Sequence, residues 1–394
     1  MDVEVPAIVW WLTIAGIVGL LLFDFVFHVR KAHIPTLKEA AIWSSIYVGI
    51  AVLFGIGVWW FGGTTMGTEY FAGYVTEKAL SVDNLFVFLI IMASFKVPRE
   101  DQQKVLLFGI VFALIARTGF IFLGAALINS FAWIFYLFGA ILLWTAIGLI
   151  RGGDEDEEVD NFVIKLARRF LNTSEHYDGD KLFTVQNGKR MLTPMLLVMI
   201  AIGGTDLLFA LDSIPAIFGL TENTFIVFTA TAFSLMGLRQ LFFLIDGLLD
   251  RLVYLSYGLA VILGFIGVKL ILHALHENNL PFVNGGQPLD VYEISTGLSL
   301  AVILGVLVVT VVASLLSPAG KAKTVASNAK RGATEYLDTS LDTDAREAGY
   351  RRLGDAEKKV DALSDKHRTD IREDEKLTEL IARAHAAHGS AVTR

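Results

Sequence analysis

Long hydrophobic stretches recur along most of this chain. Nine of them reach the roughly 20 residues that a helix needs to cross a bilayer. They lie at 7–27, 40–61, 71–94, 104–127, 131–150, 193–219, 224–245, 253–275 and 296–316. Only 19% of the 394 residues are charged and 54% are hydrophobic, which is more apolar than an average soluble domain. The sequence therefore predicts an all-α polytopic membrane protein with about nine transmembrane helices.

Basic residues in the connections predict the orientation of these helices. Lys or Arg occurs in 28–39, 95–103, 151–192 and 246–252 and just after residue 316. The alternate connections contain neither residue: they are 62–70, 128–130, 220–223 and 276–295. Because Lys and Arg are enriched in cytoplasmic loops, this alternation places the N-terminus outside and the C-terminus inside. We expect a multi-pass protein of a bacterial plasma membrane.

The distribution of charge predicts three parts. Residues 1–317 are expected to form a transmembrane transporter domain, interrupted by a cytosolic insertion at 151–192. The insertion contains an amphipathic basic segment at 159–171, typical of a helix on the membrane surface, and a hairpin signal at Asn187-Gly188. Residues 318–394 mix both charges with few aromatic residues. This composition predicts a cytosolic charged tail that is disordered or loosely helical.

Two of the hydrophobic stretches carry related acidic motifs. Each has a carboxylate six residues before an Asp, and a small polar residue directly after that Asp. The residues are Glu77, Asp83 and Asn84 in EKALSVDNLFVF, and Asp206, Asp212 and Ser213 in TDLLFALDSIPAI. Intramembrane carboxylates are costly and therefore indicate function. The predicted orientation makes the motifs antiparallel, which predicts an inverted repeat of two three-helix halves, 71–150 and 193–275.

The motifs supply oxygen ligands, which favour hard cations such as Mg²⁺, Ca²⁺ or Mn²⁺. The histidines do not cluster with them in the sequence, which argues against zinc or copper. Gly203-Gly204 and Pro215 predict a broken or kinked sixth span with exposed carbonyl groups. We expect Asp83-Asn84 and Asp212-Ser213 at the centre of one compound site. Glu77 and Asp206 are expected on opposite sides of the membrane, as gate or relay positions.

Other polar residues in the spans are candidates for the ion pathway or for charge pairing. They are Asp24, Ser81, Arg117, Arg239 and Lys269. The two arginines occur in corresponding spans of the two halves. They could neutralise the acidic site in the absence of metal, whereas a purely structural ion pair is the alternative for any single carboxylate. Lys269 could pair with a nearby acid or extend to the interface.

Several classes of function are excluded or disfavoured. The chain has no cysteine, so disulfides, zinc-thiolate sites, iron–sulfur clusters and thiol redox chemistry are excluded. It has no Gly-x4-Gly-Lys-Ser/Thr phosphate loop and no visible nucleophile–base set. We therefore expect no enzyme activity, no prosthetic group and no nucleic-acid partner. The expected partners are a divalent metal ion, the lipid bilayer and proteins that bind the cytosolic tail.

The motifs resemble those of the TerC family of integral membrane proteins, which includes tellurite-resistance-associated proteins and manganese exporters. The resemblance covers roughly residues 20–316. It is carried by LFDFVFHVRKAH (22–33), EYFAGYVTEKALSVDNLFVF (69–88), FGIVFALIARTGFIFLGAAL (108–127), TPMLLVMIAIGGTDLLFALDSIPAIFG (193–219) and GLRQLFFL…YGLAVILGFIGVKLIL (237–272). Thr231 and Ser295 depart from the pattern, where family members often have Asn and usually have Pro.

The resemblance implies export of Mn²⁺ from the cytosol. It also implies that the six motif residues are metal-pathway positions and that Asp24 matches an acidic position of the first span. The residues alone indicate only a hard divalent cation. Our first hypothesis is therefore a secondary transporter that works by alternating access, with proton antiport as the coupling. Coupling is needed because exporting a divalent cation costs about 4.6 kcal/mol per 100 mV of inside-negative potential.

The alternative hypothesis is a membrane scaffold. Such a protein would assemble partners in metal or tellurite stress resistance, using the insertion at 151–192 and the tail at 318–394. A scaffold should tolerate Asp83→Asn and Asp212→Asn, whereas a transporter should not.

Overall fold

The fold is described from a computed structural model. It defines residues 5–29, 37–95, 97–98, 101–131, 133–151, 182–186, 189–245, 252–278, 280, 283–337 and 343–392. The helices are α1 (Ala7–Asp24), α2 (Leu37–Ser94), α3 (Gln102–Ser130), α4 (Ile134–Arg151), α5 (Pro194–Phe218), α6 (Thr224–Leu235), α7 (Leu238–Ile245), α8 (Leu255–His276), α9 (Thr296–Leu316), α10 (Pro318–Leu337), α11 (Thr343–Val360), α12 (Asp365–Glu373) and α13 (Glu375–Val392). A π-helical turn, Phe25–Val29, extends α1.

Eight helical stretches of the described chain are long and apolar enough to cross a membrane. Many of their large apolar side chains point outward: Trp60, Phe61 and Trp144 are at least 76% exposed. A soluble protein would leave these side chains in water, whereas lipid solvates them. The chain is thus an all-helical, multi-pass membrane protein, as the sequence predicts.

The longest of these stretches, 52 residues within α2, folds back on itself. Gly63 has φ +86°, a conformation that glycine adopts without strain. After this turn the Tyr70 hydroxyl donates a hydrogen bond to the carbonyl of Ala51 at 3.0 Å. A Cβ atom on Gly67 would lie only 2.7 Å from the Trp59 side chain, so the two arms are in close contact. Residues 37–62 and 64–94 are therefore two antiparallel arms, which we call the first and second arms of α2.

The apolar stretch at 224–245 is a broken helix. Asn223 caps α6, because its side chain accepts hydrogen bonds from the backbone N–H groups of residues 225 and 226. Helix α6 ends before Met236, which is extended, and Gly237 has φ +76°. Helix α7 then begins at Leu238. We call the two residues Met236-Gly237 the break.

The sequence predicts a broken or kinked helix in the sixth span, and the prediction of a break is wrong. Helix α5 is continuous and contains Pro215. Gly203 serves packing instead: a Cβ atom on Gly203 would lie 2.8 Å from the Phe112 ring, and one on Gly109 of α3 would lie 2.8 Å from Ile202. These glycines allow α3 and α5 to approach closely, which brings their polar residues together.

An aromatic core joins α1, the two arms of α2 and α6. Phe54 of the first arm contacts the rings of Tyr70, Phe225 and Phe233, with ring centroids 4.4–6.4 Å apart. Gly73 of the second arm lies against Ala230 of α6. This packing holds the second arm of α2 along α6, while α3 lies along α5.

The hairpin predicted in the insertion is confirmed. Strands β1 (Phe183–Gln186) and β2 (Lys189–Leu192) pair antiparallel, with Phe183 opposite Leu192. The amphipathic segment predicted at 159–171 lies outside the described residues, as do the turn residues Asn187-Gly188.

The segment after α9 forms helices with a core of their own. Tyr336 and Leu353 are buried among small side chains, including Ala329, Ala333 and Ala384. The sequence predicted that residues 318–394 are either disordered or loosely helical. The described residues of this segment are helical and packed. The sequence did not predict this core because the core is built largely from alanine and glycine at helical spacing, rather than from large apolar residues.

Candidate metal centre

Arg117 of α3 binds side chains from two other helices. Its Nε and Nη2 donate to the two carboxylate oxygens of Asp206, at 3.1 and 3.0 Å. Nη1 donates to the hydroxyl of Ser213 at 3.2 Å. Glu77 of the second arm of α2 forms an ion pair with the same guanidinium. Arg117, Glu77, Asp206 and Ser213 are called the Arg117 cluster.

This cluster lies deep within its helices. Arg117 is one residue from the midpoint of α3, and Asp206 is at the midpoint of α5. The three charged side chains are at most 4% exposed. If α3 and α5 cross the bilayer, these charges lie near its centre, where an uncompensated charge is most costly.

Negative charge exceeds positive charge in the Arg117 cluster. Two carboxylates face one guanidinium, and Asp206 alone satisfies its bidentate geometry. Oε2 of Glu77 is buried and has no hydrogen-bond partner among the described residues. The buried hydroxyls of Thr76 and Ser81, on the same arm, also have no partner within the described chain. The cluster therefore combines an excess of formal negative charge with a buried carboxylate oxygen that has no partner among the described residues.

The structure corrects the expected arrangement of the acidic motifs. Glu77 and Asp206 do not lie on opposite sides of the membrane; they bind the same arginine. Both lie close to the middle of their helical segments. Asn84 is buried and Asp212 is half-buried. Asp83 lies in α2, but its side chain falls outside the described part.

A second arginine forms a different cluster. Arg239 of α7 donates to both carboxylate oxygens of Asp24, at 3.2 and 2.7 Å, and also to Gln103. Asp24 accepts further hydrogen bonds from Tyr47 at 3.0 Å and Gln240 at 2.9 Å. These five residues are called the Arg239 cluster. One carboxylate and one guanidinium balance each other here, and the carboxylate accepts four hydrogen bonds.

A small cavity adjoins the Arg239 cluster. Asp24, Tyr47 and Gln240 form its polar wall, and the break, Met236-Gly237, lies at its edge. Leu107 of α3 is part of its apolar wall. The cavity shows that the cluster and the break adjoin a common space.

Lys78 was missed by the sequence analysis. Its ammonium donates to the carbonyl of Ser234 at 2.9 Å and approaches that of Met236 at 3.4 Å. Both carbonyls belong to the end of α6 and the break. A lysine directly after Glu77 in an apolar span was a visible signal, because intramembrane lysines are as costly as intramembrane acids.

Lys269 belongs to a separate group at one end of the spans. The carboxylates that act on it most strongly are Glu69 and Glu293. One turn further along α8, the two ring nitrogens of His273 lie 3.1 Å from Glu222 and from Glu293. The hydrogen bond to His273 lowers the pKa of Glu222 from its ordinary value. Lys269 therefore lies near the half-buried Glu69 and the exposed Glu293 rather than in the Arg117 cluster.

The described side chains do not form a ready-made metal cage. No group of three or more His, Asp or Glu residues within the described chain is arranged to hold a metal ion. Arg117 lies between Glu77 and Asp206 instead. A cation could use both carboxylates only after this guanidinium moved aside.

Comparison with known proteins places the chain in a family. A family model described as "Integral membrane protein TerC family" matches residues 62–322. "Uncharacterized membrane protein Rv2723" of Mycobacterium tuberculosis is 59% identical over 387 residues, covering 96% of this chain and 98% of the relative. "Putative membrane-bound redox modulator Alx" of Escherichia coli is 37% identical over 311 residues, covering 76% and 92%. No solved structure matches the chain. The chain belongs to the TerC family of integral membrane proteins.

Proposed function

We propose that this protein is a secondary transporter that exports a hard divalent cation, Mn²⁺, from the cytosol by alternating access. The observation that carries the proposal is the sharing of one buried guanidinium by Glu77 and Asp206. A buried site with more carboxylates than cations attracts a metal ion, and its oxygen atoms suit a hard one. The choice of Mn²⁺ over Mg²⁺ or Ca²⁺ rests on the resemblance to the manganese exporters of the family.

The charge of the Arg117 cluster supports a cation as cargo. Glu77 and Asp206 share one guanidinium. With all three groups ionised, one negative charge remains without compensation. A bound cation would neutralise it, and protons could replace the cation during the return step of an antiport cycle.

Nine spans with the N-terminus outside remain our proposed topology. The turn at Gly63 divides the longest apolar stretch into two arms, which supports this count. The second arm of α2 and α6 run parallel: the Thr221 hydroxyl donates to Glu69 at one end, and Lys78 contacts Ser234 further along. In the proposed topology both segments run from outside to inside. The segment after α9 is then cytosolic.

Packing between the two proposed halves supports the inverted repeat. Helices α4 and α8, the third helix of each half, meet at Gly139 and Gly267. A Cβ atom on either glycine would lie 2.9–3.0 Å from the carbonyl oxygen of the other. Such a reciprocal contact is expected near a pseudo-two-fold axis. Alternating access would then proceed by movement of one half against the other.

The name of the Alx relatives raises a redox role as another possibility. This chain has no cysteine, so it cannot provide thiol–disulfide chemistry itself. An influence on cellular redox state would have to act through the transported metal ion. We therefore propose no enzyme activity and no prosthetic group.

A membrane scaffold is the second candidate function. The observation that favours it is the packed helical unit after α9, which has its own core around Tyr336 and Leu353. A transporter does not need such a unit for the ion path. Truncation after Leu316 separates the two hypotheses, because it should spare metal flux and abolish partner binding.

Metal flux in proteoliposomes tests the transport proposal. Purified full-length protein should give saturable Mn²⁺ flux that is accelerated by an imposed pH gradient. Mg²⁺, Ca²⁺ and Zn²⁺ serve as competitors. Asp83→Asn and Asp212→Asn should abolish the flux while protein yield stays unchanged, with the exposed Glu277→Gln as the matched control. Absence of saturable flux of any divalent ion would remove the transporter hypothesis, and indifference to the pH gradient would remove proton antiport.

A further inference from the structure

Lys78 differs from Arg117 and Arg239 in the groups that its side chain contacts. Arg117 and Arg239 each bind a carboxylate. The ammonium of Lys78 instead contacts two backbone carbonyls, those of Ser234 and Met236. A buried ammonium keeps its charge at low cost only if its donors are satisfied, so these carbonyls determine where the side chain can lie.

The break makes these carbonyls available. In a continuous helix, the carbonyls of residues 234 and 236 would accept from the N–H groups four residues later. The extended Met236 and the positive φ of Gly237 interrupt this pattern. Helix ends expose carbonyls with partial negative charge, which cations stabilise. Lys78 therefore caps the end of α6 from a neighbouring helix.

Lys78 also connects the two arginine clusters. Consecutive residues of a helix point about 100° apart, so Glu77 faces Arg117 while Lys78 faces the break. Arg239 and Gln240 lie in the first turn of α7, just after the break, and donate hydrogen bonds to Asp24. A shift of the break relative to the second arm of α2 would thus change the contacts of both the Arg117 cluster and the Arg239 cluster.

We propose that Lys78 is a positioning residue for cation transport, which fixes the break so that α7 presents Arg239 to Asp24 while Glu77 stays at Arg117. The inference rests on the proposed transport function, because flux is one of its readouts. Its role is to bind and release the two carbonyls as α7 moves. Its ammonium occupies the place where discontinuous helices of transporters bind cations.

The test uses three substitutions of Lys78 in full-length protein in proteoliposomes. Lys78→Met keeps the length of the side chain and removes its charge. Lys78→Arg keeps the charge, and Lys78→Ala leaves space for an added alkylammonium ion. Lys38→Met is the matched control, since Lys38 is an exposed lysine of the same helix. We expect Lys78→Met to lower the maximal rate of Mn²⁺ flux about tenfold or more while KM changes less than about threefold.

Two further measurements separate positioning from a general loss of structure. Amide hydrogen exchange at residues 238–241 should rise about tenfold in Lys78→Met, and exchange in α3 and α5 should not change. Propylammonium should restore flux and protection to Lys78→Ala, and Lys78→Arg should retain part of both. Lys38→Met should behave as the wild type in each assay.

The possible outcomes are distinct. Wild-type flux in Lys78→Met would overturn the inference, whatever the exchange data show. Loss of flux with uniformly faster exchange, and no rescue by propylammonium, would also overturn it by showing general destabilisation. If the wild-type protein itself carries no Mn²⁺, the transport proposal fails; exchange at the break then still reports separately whether Lys78 holds it.

Discussion

Arg117 and Arg239 are both buried arginines of apolar helices, but they have different surroundings. Arg117 lies within a continuous helix and binds two carboxylates and a hydroxyl. Arg239 follows a break and binds one carboxylate, Asp24, which also accepts hydrogen bonds from Tyr47 and Gln240. The first arrangement carries excess negative charge, whereas the second is balanced.

The backbone explains this difference. Helix α3 continues through Arg117, so that its side chain points toward α5 and the second arm of α2. At the start of α7 the break turns the chain before Arg239, which then reaches Asp24 on α1. The two arginines therefore have different partners: Arg117 binds two carboxylates, and Arg239 binds one. Charge balance, rather than the presence of a buried arginine, distinguishes a candidate site from a structural ion pair.

The largest effect on transport is expected from Glu77→Gln. This change removes the excess charge and leaves the bidentate pair of Arg117 and Asp206 intact. The Arg117 cluster would then be balanced, like the Arg239 cluster. We expect Mn²⁺ flux to fall about 100-fold or more, since the substitution removes a charged ligand of the proposed site, while the unfolding temperature changes little.

Flux in proteoliposomes and thermal unfolding in detergent check this prediction together. The exposed Glu277→Gln is the control for loss of a carboxylate. If Glu77→Gln transported at the wild-type rate, the excess charge at Arg117 would have no role in transport.

The largest effect on stability is expected from Asp24→Asn. The substitution leaves the guanidinium of Arg239 buried without its counter-charge. Removing one partner of a buried ion pair typically costs about 3–5 kcal/mol. The double substitution Asp24→Asn with Arg239→Gln should recover much of this loss, because it removes both charges. Denaturation of the single and double variants measures the coupling. A loss of flux without a loss of stability in Asp24→Asn would instead make the Arg239 cluster part of the ion path.

Two smaller substitutions, one in each cluster, should again distinguish an effect on stability from an effect on transport. Tyr47→Phe removes one hydrogen bond to the Asp24 carboxylate, and a bond to a charged group contributes about 1.5–3 kcal/mol. Ser213→Ala removes a neutral oxygen that is next to the excess charge. We expect Tyr47→Phe to lower stability and leave the KM for Mn²⁺ unchanged. Ser213→Ala should raise that KM about threefold to tenfold. The reverse pattern would exchange the roles assigned to the clusters.

The sequence predicted the membrane-spanning helices well because burial in lipid imposes a length and a composition that are local properties. It also identified Glu77, Asp206, Ser213 and Arg117 as polar residues in apolar spans. It misplaced the break, since Gly203 and Gly237 are both compatible with either a break or close packing. Only tertiary contacts decide between them: Phe112 lies against Gly203, whereas Gly237 adopts a positive φ.

The partners of charged residues were less predictable. Sequence spacing placed Glu77 and Asp206 one or two turns from the centre of the site, but it could not show that both reach the same arginine. The sequence shows Lys78 as a charged residue in an apolar span, but it could not show its partners, because backbone carbonyls leave no trace in the residue pattern. The position of Asp83 relative to these groups stays a prediction.

The exposed group around His273 provides the smallest effect and a reference for the two buried clusters. Its pairs with Glu222 and Glu293 lie where solvent reaches them, with about half of each glutamate side chain exposed. Exposed pairs contribute roughly 0–1 kcal/mol. His273→Ala should therefore lower the free energy of unfolding by less than about 1 kcal/mol, and high salt should remove the difference.

The pH dependence of this small effect has a definite sign. Because His273 lowers the pKa of Glu222, the stabilising contribution of Glu222 is present above the unfolded-state pKa. It is lost as the pH falls through the lowered, folded-state pKa. Unfolding of the wild type and of His273→Ala at pH 7 and at pH 3, in low and high salt, measures both dependences. A salt-insensitive loss as large as that of Asp24→Asn would show that exposure does not separate these pairs from the buried ones.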